Sequence, residues 1–303
     1  MTNKEKYFGV VPPLLTPLLA HDRIDEEAYE KMVRHVVAGG VHGLFSMASS
    51  GEALHNARPV WEEGSKITLR VADGKLPVYS GAIAASTSQA IDNIKYLENI
   101  GAKIAVVTPP CYAPGLMQSE ILRHYEAILD RTTIDICLYN IPTMMGGIGI
   151  EPEIACTLAE HDRVVMLKDS SPNWDHQQRM IYALQDKDIA VLTGGETFCT
   201  SSVMLGAQGN ISGFATVFPK LFVAAYNAAT GMDLPKVKAL QKEIFSIMDL
   251  AKMNASVFSI MKYTLAAAGI GTDINAFHTE PLTEGQKTAV DRTVKRIIET
   301  YGF

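Results

Sequence analysis

Four apolar residues, Val164-Val165-Met166-Leu167, run into Lys168, and the turn-forming Asp169-Ser170-Ser171 follow at once. A short apolar run bounded in this way predicts a strand buried on both faces, with the lysine at its end. An unpaired charge there is expensive, so the amine either finds a partner or gives up its proton. A neutral lysine is a nucleophile that forms a Schiff base with a carbonyl. On this segment alone, a strand-end lysine with its head in solvent is the commoner arrangement. Chemistry through an imine also needs a group that moves protons to and from the carbinolamine and the aldehyde oxygen. Tyr139, near the end of residues 135–142 (DICLYNIP), lies one predicted strand earlier. Hydroxyls and backbone N–H groups in a turn after a strand hold a carboxylate. Ser49-Ser50-Gly51-Glu52 has that composition. Each of these has a plainer reading. Tyr139 also fits an ordinary strand, Ser49-Ser50 a simple turn, Glu52 a residue that holds its own turn, and Glu196 a solvated loop acid.

What would bring these residues together is the alternation of elements around them. Apolar segments at 9–17, 43–47, 77–82, 103–109, 135–142, 164–169, 189–196 and 209–213 predict strands. Between them, helices are predicted over 25–38, 59–72, 86–101, 118–130, 152–160, 173–185, 198–205 and 219–230, several with Asp, Ser or Asn at the start and Gly at the end. About eight βα units of roughly 30 residues or slightly less imply an α/β fold, the (β/α)8 TIM barrel, over residues 1–230. An open doubly wound sheet is the alternative, but no G-x-G-x-x-G follows the first strand and no P-loop is present. Beyond residue 230 the alternation stops. Helices predicted at 235–253, 257–269 and 283–300 make residues 231–303 a C-terminal helical region packed on the barrel. In such barrels chemistry gathers at the C-terminal ends of the strands. Ser49–Glu52, Thr108–Cys111, Tyr139-Asn140, Lys168-Asp169, Gly194–Glu196 and Ser212-Gly213 all fall there.

Composition excludes several functions. With 27 basic against 33 acidic residues in 303, a net charge of −6 and no basic run, nucleic acid and membrane surfaces are not expected partners. The opening residues MTNKEKY are polar and form no signal peptide, and no stretch approaches a membrane span. Cys111, Cys137, Cys156 and Cys199 show no CxxC, as expected of free thiols in a reducing cytoplasm. The eight histidines show neither H-x-H nor H-E-x-x-H spacing, which disfavours a metal-dependent aldolase.

Taken together, Ser49-Ser50-Gly51-Glu52, Thr108-Pro109, Tyr139-Asn140-Ile141-Pro142, Lys168, the Gly194–Glu196 turn and Gly209-Asn210-Ile211-Ser212-Gly213 resemble a known family. It is the dihydrodipicolinate synthase and N-acetylneuraminate lyase family of class I, pyruvate-dependent aldolases, and the resemblance covers essentially the whole chain. It implies Lys168 as the Schiff-base residue, Tyr139 as the proton shuttle, and Ser49 and Ser50 as carboxylate-holding residues. It further implies a small 2-oxo acid and an aldehyde as partners, with Gly51, Ile211, Cys111, Tyr112, Met144 and Glu196 on the substrate side. No cofactor is implied beyond the covalent imine with pyruvate on Lys168, and a homotetramer with one site per barrel is. The departures bear on substrate. Synthases of the lysine pathway carry two tyrosines after the Thr-Pro, where Pro110 and Cys111 stand here and Tyr112 is displaced by one. They also carry an arginine at the position of Met144, and a thioether removes charge-assisted recognition of a second carboxylate. The sialate-lyase branch has bulky polar groups after strand seven and a serine near strand eight, where Gly195, Glu196 and Gly213 stand. The expectation is cleavage or condensation of a 2-keto-3-deoxy sugar acid or related 2-oxo acid. The alternatives are the synthase activity, a barrel isomerase gripping phosphate at Gly194-Gly195 and Gly213, and a non-catalytic barrel that binds a 2-oxo acid.

Overall fold

The apolar runs form eight parallel strands in a computed structural model that describes residues 1–113 and 115–301. The strands are β1 (Gly9–Val10), β2 (Leu44–Ser46), β3 (Val78–Gly81), β4 (Ile104–Val107), β5 (Asp135–Asn140), β6 (Val164–Asp169), β7 (Ala190–Thr193) and β8 (Gly209–Asn210). Their order in the sheet is β1-β8-β7-β6-β5-β4-β3-β2. The chain after β1 closes the ring: Pro13 bridges Phe45, Phe45 N donates to Pro12 O at 3.0 Å, and Leu14 N donates to Phe45 O at 2.9 Å. The fold is therefore the (β/α)8 barrel that the alternation predicts. From β2 to β7 almost every strand residue is buried, as parallel strands covered on both faces require.

The helices around the barrel are α1 (Glu26–Ala38), α2 (Arg58–Ala72), α3 (Thr87–Asn99), α4 (Gln118–Leu129), α5 (Pro152–Leu158), α6 (Trp174–Ala183), α7 (Cys199–Met204) and α8 (Pro219–Thr230). Their starts follow local chemistry. Asp25, Ser86 and Asn173 accept from the backbone N–H of Ala28, Gln89 and His176, satisfying donors that the first turn leaves orphaned. The first and last strands are shorter than expected, two residues each. The first apolar segment is a strand for two residues only, because Pro12 and Pro13 cannot donate to a ladder. It leads into a short antiparallel ribbon of Leu18–Ala20 with Arg23–Ile24.

After α8 come only helices among the described residues: α9 (Leu234–Leu250), α10 (Val257–Ala267) and α11 (Glu284–Tyr301). Leu240, Ile244, Ile247 and Leu250 of α9 belong to the same apolar cluster as the barrel strands. The segment between α10 and α11 returns to the barrel mouth. Thr272 Oγ1 donates to Leu18 O at 2.7 Å, His21 Nδ1 lies 2.8 Å from Asn275 O, and Ala276 N donates to Glu52 Oε1 at 2.7 Å. Among the described residues no helix is long and apolar enough to cross a membrane.

Candidate active site

The register between β5 and β6 sets the site. Tyr139 pairs with Lys168 and Asn140 with Asp169, so each pair projects to the same side of the sheet. Lys168 is 3% exposed. Its Nζ stands 4.0 Å from the centroid of the Tyr139 ring and 5.1 Å from that of Phe45. Among the described residues no carboxylate comes within ion-pair distance of it, so aromatic faces are what the amine meets. The Tyr139 hydroxyl lies 3.5 Å from Ser49 Oγ, which joins the end of β5 to the turn after β2. Gly194 is needed beside the amine: a Cβ there would stand 1.8 Å from Ser170 Oγ and 3.0 Å from Lys168 Cε.

Behind this pair lies a buried polar network. Asp169 Oδ1 accepts from Asn140 Nδ2 at 2.9 Å and from Ser171 N at 2.8 Å, and His176 Nε2 is 3.8 Å from Asp169 Oδ2. Asn140 Oδ1 in turn accepts from Ile150 N at 3.0 Å. Burial pushes the Asp169 carboxyl above its ordinary range, against these donors and His176. Gln177 extends the network to β7, donating to Ser171 O at 2.6 Å and accepting from Thr193 Oγ1 at 2.8 Å. The ends of β5, β6 and β7 are thus tied together where Tyr139 and Lys168 project.

A cavity of about 450 Å³ opens at these strand ends. It is lined by Lys168, Tyr139, Ser49 and Ser50, by Glu196, Ile211 and Gly213, and by Met144 and Phe258. Among its lining residues Lys168 is the only cation and Glu196 the only carboxylate, while Thr143, Ser170, Ser171 and Thr197 add hydroxyls. Glu196 Oε1 accepts from Phe214 N at 3.3 Å. Burial pushes its carboxyl up despite backbone N–H donors and the pull of Lys168. The structure thus brings together Lys168, Tyr139, Ser49, Ser50, Ile211, Met144 and Glu196 of the residues expected in the site.

Three others do not line the cavity. Gly51 is not among the lining residues, and its carbonyl accepts from Thr16 Oγ1 at 2.6 Å and Asn56 Nδ2 at 2.7 Å, which fixes the turn beneath Ser49 and Ser50. Cys111 is half-buried beside Ala84 O, at 3.8 Å from Sγ. Tyr112 is 100% exposed with φ +58°, so within this chain its phenol reaches no site group. Sequence reasoning also passed over Lys262. This residue of α10 is 2% exposed and pairs with Glu52, itself 0% exposed. Lys262 Nζ also donates to Ile274 O at 2.7 Å. Burial holds its ammonium below the usual lysine range, against the attraction of Glu52. The available signal was a lone lysine inside the apolar run 257–268 (VFSIMKYTLAAA). Among the described residues no group of three or more His, Cys, Asp or Glu is placed to hold a metal ion.

A closed barrel whose strand ends present a buried lysine and a facing tyrosine has the arrangement that aldolase-type chemistry at a carbonyl needs. The sequence model of the dihydrodipicolinate synthetase family matches residues 6–300, and the chain belongs to that family. It is accordingly an enzyme of the pyruvate-dependent class I aldolases. It is 31% identical over 224 residues to the 4-hydroxy-tetrahydrodipicolinate synthase of Methanospirillum hungatei, covering 73% of this chain and 76% of that protein. An uncharacterized DapA-like lyase of Thermofilum pendens is 25% identical over 303 residues, 98% of each chain. The solved dihydrodipicolinate synthase of Bacteroides thetaiotaomicron superposes with a TM-score of 0.89 at 31% identity, covering 95% of this chain and 98% of that one.

Proposed function

We propose that this chain cleaves or forms the carbon–carbon bond between pyruvate and an uncharged hydroxy-aldehyde, acting on a 2-keto-3-deoxy sugar acid or related 2-oxo acid. Lys168 Nζ attacks the ketone carbon, and loss of water from the carbinolamine leaves a protonated imine. In the cleavage direction the substrate's 4-hydroxyl gives its proton toward Tyr139. The C3–C4 bonding pair moves into the imine, an aldehyde departs and an enamine remains. Protonation at C3 and hydrolysis then release pyruvate and the free amine. Ser49 and Ser50 hold the carboxylate meanwhile. The observation that carries this reading is Lys168 Nζ buried 4.0 Å from the Tyr139 ring centroid with no carboxylate paired to it among the described residues. The substrate class is supported by the lining. Hydroxyls and one carboxylate suit a polyol, and among the described lining residues no second cation stands ready for a second carboxylate.

The second reading is 4-hydroxy-tetrahydrodipicolinate synthase activity, favoured by the names of relatives at 31% identity. Two measurements separate the readings. With pyruvate present, borohydride should fix a mass adduct on Lys168 and on no other lysine, and an unmodified Lys168 peptide would remove the imine mechanism. A panel of aldehydes, followed by pyruvate consumption and release, should give a higher kcat/KM with hydroxy-aldehydes than with aspartate semialdehyde. The reverse preference restores the synthase reading. Trapping without turnover on any aldehyde would make the protein a 2-oxo acid binder.

A further inference from the structure

The turn that carries Ser49 and Ser50 is held under strain. Met47 before it and Glu52 at its end take φ of +49° and +55°, a region that residues with side chains rarely occupy. Such conformations persist where the surroundings over-determine them. Part of that surrounding is local: Glu52 N donates to Ser49 O at 2.9 Å, and the Gly51 carbonyl is held by Thr16 and Asn56. The rest comes from the far end of the chain. Glu52 Oε1 accepts from Ala276 N at 2.7 Å, and Glu52 Oε2 has Lys262 as its partner. Lys262 Nζ in turn donates to Ile274 O at 2.7 Å, so one ammonium ties the turn, α10 and the returning segment together. On the same helix Val257, Phe258 and Met261 face the cavity.

We propose that Lys262 is a positioning residue for the 2-oxo acid, acting through Glu52 to hold the Ser49–Ser50 turn in the geometry that seats the carboxylate. The proposal rests on the reading of Ser49 and Ser50 as carboxylate-holding residues. A buried ion pair is often no more stabilising than an apolar pair of similar volume. The strained turn that this one braces gives it another use, because small misplacements of a binding group are costly. A shift of about 1 Å caused by a distant substitution costs on the order of 10²-fold.

The test is the pyruvate concentration that gives half-maximal borohydride trapping on Lys168, which needs no knowledge of the aldehyde. Lys262→Met should raise that concentration roughly 10- to 100-fold, while the extent of trapping at saturating pyruvate stays as in wild type. Because Lys262→Met strands a buried carboxylate, the double variant Glu52→Gln/Lys262→Met carries the decisive measurement. It removes both charges and should recover thermal stability without recovering pyruvate affinity. Wild-type affinity in the folded double variant would overturn the proposal and leave the pair a purely structural contact. Ser49→Ala/Ser50→Ala separates the two ideas. Weakened trapping there, with wild-type trapping in the Lys262 variants, defeats the positioning role alone. Unchanged trapping there defeats the carboxylate reading, and the proposal with it.

Discussion

Tyr139 serves two neighbours at once: its ring lies beside the Lys168 amine, and its hydroxyl lies 3.5 Å from Ser49 Oγ. These roles are separable because the first needs only the ring and the second only the oxygen. Tyr139→Phe keeps the ring beside which Lys168 packs and deletes the hydroxyl to which the proposed mechanism assigns the proton. Pyruvate trapping on Lys168 should therefore persist in that variant. Turnover should fall by about 10²–10⁴-fold, the usual contribution of a positioned acid–base group. Single-turnover trapping and steady-state rates on the same preparation check both halves. Near-normal turnover would reduce the tyrosine to packing.

Between elements, His124 is a buried joint. It sits on α4, lies 2.9 Å from Thr87 Oγ1 at the start of α3, and through Nε2 reaches Thr108 O just beyond β4 at 3.1 Å. Burial lowers its pKa to about 4. The unfolded chain, with an ordinary histidine near 6.5, therefore takes up this proton first as pH falls. The stability associated with neutral His124 is full above about pH 6.5 and is lost as pH falls through about 4, by at most about 3 kcal/mol. His124→Gln should flatten that acid limb, as measured by urea unfolding at pH 7.5 and 4.5. An identical pH dependence in both proteins would contradict it. Element by element, the sequence was most legible where a single force dominates. Residues 164–169 are apolar up to their final polar pair and form β6 over the same span, because burial on both faces leaves one solution. The ribbon Leu18–Ala20 with Arg23–Ile24 was not legible, since two- and three-residue strands are too short to show a period. Lys168, Tyr139 and the serines could be placed because strand ends in a barrel converge. Lys262 could not, because its partner lies across the fold and a single helix gives no sign of which charge is buried. Gly51 and Tyr112 stood in the right stretches, but which way a turn residue faces depends on backbone angles that its type does not determine.

At the scale of the molecule, barrel and helical region share one apolar cluster that runs from Tyr7 to Ile297. A shared core predicts shared cooperativity. Ile247, fully buried on α9, should report on the barrel as well as on its own helix. Ile247→Ala should cost about 2–5 kcal/mol and move the whole transition. Fluorescence of Trp61 and Trp174, both in the barrel, should shift together with far-UV circular dichroism in a denaturant titration. A first transition silent to tryptophan would show that the helices unfold alone. The return of residues 272–276 to the mouth also imposes an order in time. Ala276 meets Glu52 across 224 residues, and Thr272 meets Leu18 across 254. Contacts so far apart along the chain form only after the intervening loop has closed. On a ribosome adding about 5–20 residues per second, Lys168 would precede its completed surroundings by roughly 5–20 s. For that interval the nascent chain carries Lys168 without the Ala276 and Lys262 contacts to Glu52, so on the positioning role proposed above, capture of a dilute 2-oxo acid strengthens only once residue 276 has emerged.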